Sequence, residues 1–210
     1  RIGALTARSQ GLLPTFEMDN VTLLDAQGRA ALTLPRVVGT LSPGSLWNLG
    51  FEQLFIDQPE LDIRRTAQGK WLVAGLDFAK QPQSDNNEGA DWLLSQTEFF
   101  IRKGTVRWTD ELRQAPPLSL SAVDLVLRNS ARKHGLRVDA TPPTQWGQRF
   151  SLQAQFRQPL LSTRHSHWQE WDGQVFGNFD LVDVSQLRQY ADLGDLGVDL
   201  RQGRGALRLW

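Results

Sequence analysis

A nine-residue pattern stands twice in this chain, 45 positions apart, and it constrains the fold more than any other feature. Phe55-Ile56-Asp57-Gln58-Pro59-Glu60-Leu61-Asp62-Ile63 is matched by Phe100-Ile101-Arg102-Lys103-Gly104-Thr105-Val106-Arg107-Trp108. Each copy is two apolar residues, a polar pair, a Pro or Gly break, then a polar/apolar alternation ending on a large apolar side chain. A looser third copy runs from Val198-Asp199-Leu200-Arg201-Gln202-Gly203 to Ala206-Leu207-Arg208-Leu209-Trp210. Repetition of this kind belongs to architectures extended by adding units rather than to a closed globule around one cleft.

Short alternating runs separated by Gly, Pro, Asp and Asn dominate the remainder. Residues 16–24 alternate with a change of phase near Asn20. Asp25-Ala26-Gln27-Gly28-Arg29 reads as a turn and residues 30–38 as the returning strand of a hairpin. In residues 118–129, Leu118 and Leu120 are in one phase and Val123, Leu125 and Leu127 in the other, which puts a second phase change near Ala122. Such changes mark β-bulges, which bend and twist a strand. The second copy of the repeated pattern is expected to form a hairpin around Lys103-Gly104. In 150–157, Phe150, Leu152, Ala154 and Phe156 alternate with Ser151, Gln153, Gln155 and Arg157, the clearest half-buried strand in the chain. Trp171, Gly173, Val175, Gly177 and Phe179 form the apolar face of the next. Helical signals are short: Ser42 and Pro43 as N-cap and first helical residue with Gly50 as the stop, one or two turns in 90–96, and a helix over 183–190 capped by Asp183. Roughly ten to twelve strands without a βαβ rhythm give a mostly β protein. The expected fold is an extended, twisted antiparallel sheet, curved into an open groove of repeating β units, with two or three short helices.

At 210 residues the chain can bury a substantial core. Residues 80–89 contain no apolar side chain except Pro82 and read as a solvated, mobile loop. They separate a first β unit, 1–79, from the following β units, 90–210, of one repetitive β-groove domain. The 23 basic and 23 acidic residues cancel and form no long like-charge run, which argues against nucleic acid and against a polybasic membrane patch. Without cysteine there are no disulfides, thiolate nucleophiles or Cys-based metal sites. No apolar run is long enough for a membrane-spanning helix. The chain starts on Arg and closes on what reads as mid-strand sequence, so it is expected to be a fragment of a longer protein whose targeting and membrane segments lie outside it. Its 8 tryptophans are spread along the whole length, a distribution that fits packing along a sheet better than a single ligand platform.

Candidate chemistry is sparse. His165-Ser166-His167 could present both rings on one strand face as half a metal site, but an exposed polar loop accounts for it better. The carboxylate pairs Asp110-Glu111 and Glu170/Asp172 lie beside Trp, as in glycosidases, yet such pairs are common at turns. Gly203-Arg204-Gly205 lacks the helix and the further glycine of a nucleotide loop, and there is no nucleophile-elbow motif. The expectation is a protein that is not an enzyme, with no catalytic residue, no metal and no cofactor. What remains is apolar surface. A sheet of this size with so little helix must fold into a sandwich, close into a barrel, or stay a trough whose lining faces an amphiphile. A trough would hold acyl chains by non-directional burial, at about 0.8 kcal/mol per CH₂.

Several segments carry a family resemblance. Residues 16–76 resemble the amino-terminal region of AsmA-like proteins through Val21-Thr22-Leu23-Leu24-Asp25, Leu41-Ser42-Pro43-Gly44-Ser45-Leu46, residues 54–63, and Gly69-Lys70-Trp71-Leu72-Val73-Ala74-Gly75-Leu76. The continuation is similar to the YhdP branch of that family. It carries Ala90-Asp91-Trp92-Leu93-Leu94, Val106-Arg107-Trp108-Thr109-Asp110-Glu111-Leu112-Arg113, Pro116-Pro117-Leu118-Ser119-Leu120 and residues 203–210. The resemblance implies a Gram-negative envelope protein in the periplasm, held at the inner membrane by an upstream anchor absent from this sequence. Its body of adjoining β units would conduct phospholipid between the inner and outer membranes through a hydrophobic groove.

The family offers no catalytic residues to carry over, so groove-lining positions are nominated by alternation: Val106, Trp108, Leu125, Leu127, Phe150, Leu152, Ala154, Phe156, Val175 and Phe179. The expected partners are phospholipid acyl chains and the neighbouring β units, not nucleic acid. Two rival readings remain. One is an envelope β scaffold that holds protein partners by strand addition at its edges. The other is a carbohydrate-binding β domain in which Trp168, Trp171 and Glu170 cluster around a polar cleft.

Overall fold

A computed structural model describes residues 1–10, 13–24, 30–43, 51–73, 76–77, 94, 96–159, 171–183 and 203–209. Among these, thirteen strands form one sheet: β1 (Ala4–Gln10), β2 (Leu13–Leu24), β3 (Ala30–Thr40), β4 (Gln53–Asp57), β5 (Glu60–Arg65), β6 (Trp71–Val73), β7 (Leu76–Asp77), β8 (Glu98–Asp110), β9 (Leu118–Asn129), β10 (Lys133–Thr141), β11 (Phe150–Arg157), β12 (Asp172–Asp183) and β13 (Arg204–Leu209). The main path runs β1-β2-β3-β4-β8-β9-β10-β11-β12-β13, with β5 also on β8 and the short β6 and β7 following β5. The sheet is open, and it crosses from residues before 80 to residues after 89 without interruption.

Pairing is antiparallel except at one place. Both β4 and β5 lie parallel to β8, so the sheet is mixed and the antiparallel expectation is corrected. The reason lies in the repeated pattern. Residue i of the first copy pairs with residue i+45 of the second, from Gln53↔Glu98 through Ile56↔Ile101 to Ile63↔Trp108 and Arg65↔Asp110. Two copies of one pattern placed side by side in the same register must run in the same direction.

Lys103-Gly104 does not form the expected hairpin; β8 continues through it. On the neighbouring strand the matching break is Gln58-Pro59, where proline has no N–H to give the ladder. Pairing resumes on both sides, with Gln58 N donating to Arg102 O at 2.8 Å and Thr105 N to Pro59 O at 2.8 Å. Both breaks are left-handed kinks, with φ of 53° at Gln58 and 52° at Lys103.

The phase changes expected near Asn20 and Ala122 are kinks of the same kind, with φ of 51° and 46°. The four positions line up across the sheet. Asn20 lies opposite Pro35, Gln58 follows the Asp57 that pairs Arg36, Lys103 is the counterpart of Gln58, and Ala122 precedes the Val123 that pairs Gly104. Each kink leaves two consecutive residues on the polar side and so returns the apolar residues to the face they occupied before it. On β9 the exposed Ser121 and Ala122 separate Leu120 from the buried Val123; on β4 and β5, Asp57 and Gln58 separate the buried Ile56 from the buried Pro59.

The core is one-sided. Leu34, Val37, Leu54, Ile56, Phe99 and Leu127 are buried together, with Met18, Ile101, Leu125 and Leu136 packed around them. Phe51 and Leu94 also pack on this cluster from outside the strands. Gly39 lets Phe51 approach, since a Cβ there would sit 2.6 Å from the ring. The connection after β10 packs against β12: Trp146 is buried, Gln148 N donates to Leu181 O at 3.0 Å, and Asp183 N donates to Trp146 O at 2.7 Å. Gly147 is required between them (φ +151°), because a Cβ would lie 2.0 Å from Leu181 O. Of the expected helices, Pro43 and Leu94 are helical and the rest of those two segments is largely undescribed. Asp183 is the last residue of β12, while 184–190, residues 80–89 (the expected mobile loop) and the start of the third repeat copy lie outside the described residues.

Ala122 is exposed, so substitution there isolates the kink from packing. Ala122→Val is expected to lower stability by at least about 1 kcal/mol, because a β-branched residue resists the left-handed region. Ala122→Gly should leave stability equal to or slightly above wild type. Denaturant midpoints of the two variants measure this.

Candidate functional site: one apolar face and its borders

Cross-strand partners in a sheet share a face, so the register traces rows of side chains perpendicular to the strands. One row reads Leu5, Met18, Val37, Ile56, Ile101, Leu125, Val138, Leu152, Gly177. The next row on the same face reads Ala7, Phe16, Gly39, Leu54, Phe99, Leu127, Leu136, Ala154, Val175. Each crosses nine strands, about 38 Å at roughly 4.8 Å per spacing, without a polar residue. A third line continues beyond the kinks through Ala140, Phe150, Phe179 and Leu207, where the Phe150 and Phe179 rings stack at 5.1 Å.

All ten residues nominated by alternation lie on this face. Leu125 and Leu152 belong to the first row; Leu127, Ala154 and Val175 belong to the second. Phe156 follows Ala154 along β11, and Phe150 and Phe179 pair beyond the kinks. Val106 and Trp108 pair Leu61 and Ile63 on one side and Leu120 and Leu118 on the other. Exposure along the face is uneven: Leu127 and Ala154 are buried, whereas Val175 is 51% exposed. The most enclosed stretch, Val37, Leu54, Ile56 and Phe99, is not among the nominated residues, although Ile56 lies inside the repeated pattern and Leu54 and Phe99 immediately precede its two copies.

Polar groups close both margins of the face. At one, buried Gln96 accepts from Phe51 N through Oε1 at 2.6 Å and from Asn129 Nδ2 through its carbonyl at 2.8 Å. Asn129 Oδ1 is 2.8 Å from Nδ1 of buried His134, whose ring stacks on Trp171 at 4.1 Å. At the other, Asp110 is 1% exposed, accepts from Arg113 N through Oδ1 at 3.0 Å, and faces Arg65 at 3.7 Å and Arg113 at 4.0 Å through Oδ2. Glu111 holds Arg64 and accepts from Ala67 N at 3.3 Å, pinning the β5–β6 turn. Asp110-Glu111 is therefore engaged with arginines and backbone. Of the remaining sequence candidates, Asp172 is exposed at the start of β12, while His165, His167, Trp168 and Glu170 lie outside the described residues.

The opposite face is charged. Arg102–Asp57 at 3.1 Å, Arg128–Glu98 at 3.1 Å, Arg149–Asp124 at 2.7 Å and Arg137–Asp139 at 2.7 Å tie neighbouring positions together. The hydrogen bond from Arg102 holds the Asp57 carboxyl below its ordinary range. Arg137, and after it Ser151, do the same for Asp139. A cleft of about 710 Å³ opens over Gly135, rimmed by Arg128, Lys133, Gln155, Arg157 and Asp172. Among the described residues, no group of three or more His, Cys, Asp or Glu is placed to hold a metal ion, and no helix is long and apolar enough to cross a membrane.

Among the described residues, an open β-sheet with one continuous apolar face and one ion-paired face defines a protein whose candidate site is a sheet face rather than a pocket. The whole chain, residues 1–210, matches the family model described as YhdP protein, and it belongs to this AsmA-like family. No curated protein and no solved structure matches it.

Two outcomes follow from the polar groups. Asp110→Asn should cost about 1–3 kcal/mol in denaturant unfolding, because a buried carboxylate that accepts from Arg113 N and faces the half-buried Arg65 and Arg113 loses its charge; a carboxylate kept for chemistry would leave stability intact or raise it. Asp139 has a depressed pKa, so its contribution is present above the ordinary carboxylate value of 3.8 and is lost as pH falls through the lower folded value. The stability gap between wild type and Asp139→Asn should accordingly shrink on acidification below about pH 4.

Proposed function

We propose that this chain is a segment of a periplasmic conduit in which phospholipid acyl chains lie along the apolar rows while the protein bridges the inner and outer membranes. The observation that carries the reading is the pair of rows, which run about 38 Å across nine strands without a polar interruption. An acyl chain needs a surface that is continuous along its length and indifferent to position, and burial at about 0.8 kcal/mol per CH₂ supplies affinity without directional contacts. The ten nominated residues would line this path with Val37, Leu54, Ile56, Phe99 and Leu136.

In this reading the face with the rows is the concave one, and the ion-paired face meets water. Edge strands β1 and β13 would continue into adjoining β units, and the anchor at the inner membrane would lie upstream. Family membership supports this placement. The scaffold reading draws on the same β1 edge, where Ile2 and Leu5 are exposed.

The test compares one substitution on each face. Leu152→Asp puts a charge in the first row, and Gln153→Asp puts one on the opposite face of the same strand. The intact protein, purified from bacterial envelopes and examined by native mass spectrometry, is expected to carry phospholipid that Leu152→Asp loses and Gln153→Asp keeps, with both variants folded. A folded, lipid-free wild-type protein would overturn the conduit and leave the scaffold reading ahead.

A further inference from the structure

Two of the buried donors without an acceptor stand on neighbouring rows of the apolar side. The Nε of Arg65 and the Nε1 of Trp108 are both shielded from solvent and make no hydrogen bond. A buried donor left without an acceptor loses its hydration and gains nothing in return, so two of them at one place call for an explanation. They are neighbours by register. Trp71, Arg65 and Asp110 form one cross-strand row, and Ile63 with Trp108 forms the next row on the same face. Trp71 covers both: its ring lies edge-on to Trp108 at 5.0 Å, and the Arg65 guanidinium stands 5.6 Å over it. Trp71 is itself 40% exposed and sits on a three-residue strand.

We propose that Arg65 and Trp108, roofed by Trp71, form a binding site for the ester carbonyl of an acyl lipid, where the chain meets its headgroup. The proposal rests on the lipid reading of the apolar face and names the part of the lipid that is recognised. The electrostatics select a neutral acceptor. Asp110 Oδ2 faces the Arg65 guanidinium at 3.7 Å and that of Arg113 at 4.0 Å, so an incoming phosphate or carboxylate would have to approach a buried carboxylate, which a neutral oxygen need not oppose. A carbonyl oxygen brings two lone pairs and no charge, and it is followed in the same molecule by the alkyl chain that the adjoining apolar residues would take. Admission requires Trp71 to swing off the two donors.

The probe is a phosphatidylglycerol with two oleoyl esters, set in competition with its diether analogue, which has the same headgroup and chain length but no carbonyl. Binding to the intact protein is read by native mass spectrometry. Wild type is expected to prefer the diester by about fivefold or more, the equivalent of one net hydrogen bond. Trp108→Phe, which keeps an aromatic ring and removes the donor, should bring the ratio of diester to diether binding close to one. Arg65→Lys, which keeps a cation for Asp110 and removes Nε, should reduce it in the same direction and serves if Trp108→Phe does not fold. Equal binding of the two lipids by wild type would overturn this site and leave the conduit standing. A preference that survives in the variants would place carbonyl recognition elsewhere and overturn the assignment. Binding of neither lipid would remove both the site and the reading beneath it.

Discussion

Everything in this structure depends on keeping apolar side chains on one side of a single sheet. In a two-layer domain a local slip can be absorbed by the facing layer. Here, among the described residues, the cover comes from Phe51 and Leu94 rather than from a second sheet. A strand has period two, so any displacement by one residue turns its apolar set outward. The kinks at Asn20, Gln58, Lys103 and Ala122 therefore act as a set. Each inserts one residue and inverts the alternation, and the sequence inverts its own alternation at the same positions. Because they line up across neighbouring strands, the sheet can bend along one transverse line without breaking a row.

The charged face has a related role. Ion pairs between exposed Arg and Asp or Glu contribute little stability individually. Their placement matters in another way, since Arg102–Asp57 and Arg128–Glu98 each join residues directly opposite in register. A slip by one residue would separate these pairs while also turning the apolar rows outward, so both faces penalise the same error. The two margins, Gln96–Asn129–His134 on one side and Asp110–Arg65–Arg113 on the other, mark where the apolar surface stops.

Much of this is legible in the residue pattern. The phase changes in residues 16–24 and 118–129 locate two of the four aligned kinks, because a strand that changes phase and keeps its face needs a bulge. Alternation in β11 and β12 also places Phe150, Leu152, Ala154, Phe156, Val175 and Phe179 together. Partners and direction are not legible. Lys103-Gly104 has the composition of a turn, and only its pairing with Gln58-Pro59 distinguishes a kink from a reversal. The expectation of antiparallel pairing fails at the same place, because alternation reports which side a residue faces and says nothing about the strand beside it. The pairing of Arg65 with Trp108 is hidden for a similar reason, since a donor without an acceptor exists only once every neighbour is in position.

The parallel pairing of β4 and β5 with β8 divides the sheet into two meanders of different character. Strands β1 to β4 and β8 to β13 each pair with the next strand in the chain, so their contacts are local and their loop-closure costs small. Only the seam between them joins residues 45 apart. Non-local pairing is the slow part of building β-structure, because chain entropy is lost before any contact is gained. Each meander can therefore assemble as its residues leave the ribosome, with the seam closing last. The residues that close it are the two copies of one pattern, so the step most exposed to mispairing brings together segments that fit each other equally well in neighbouring molecules. High local concentration of unfinished chains, rather than low stability of the finished sheet, is then the main hazard for this fold.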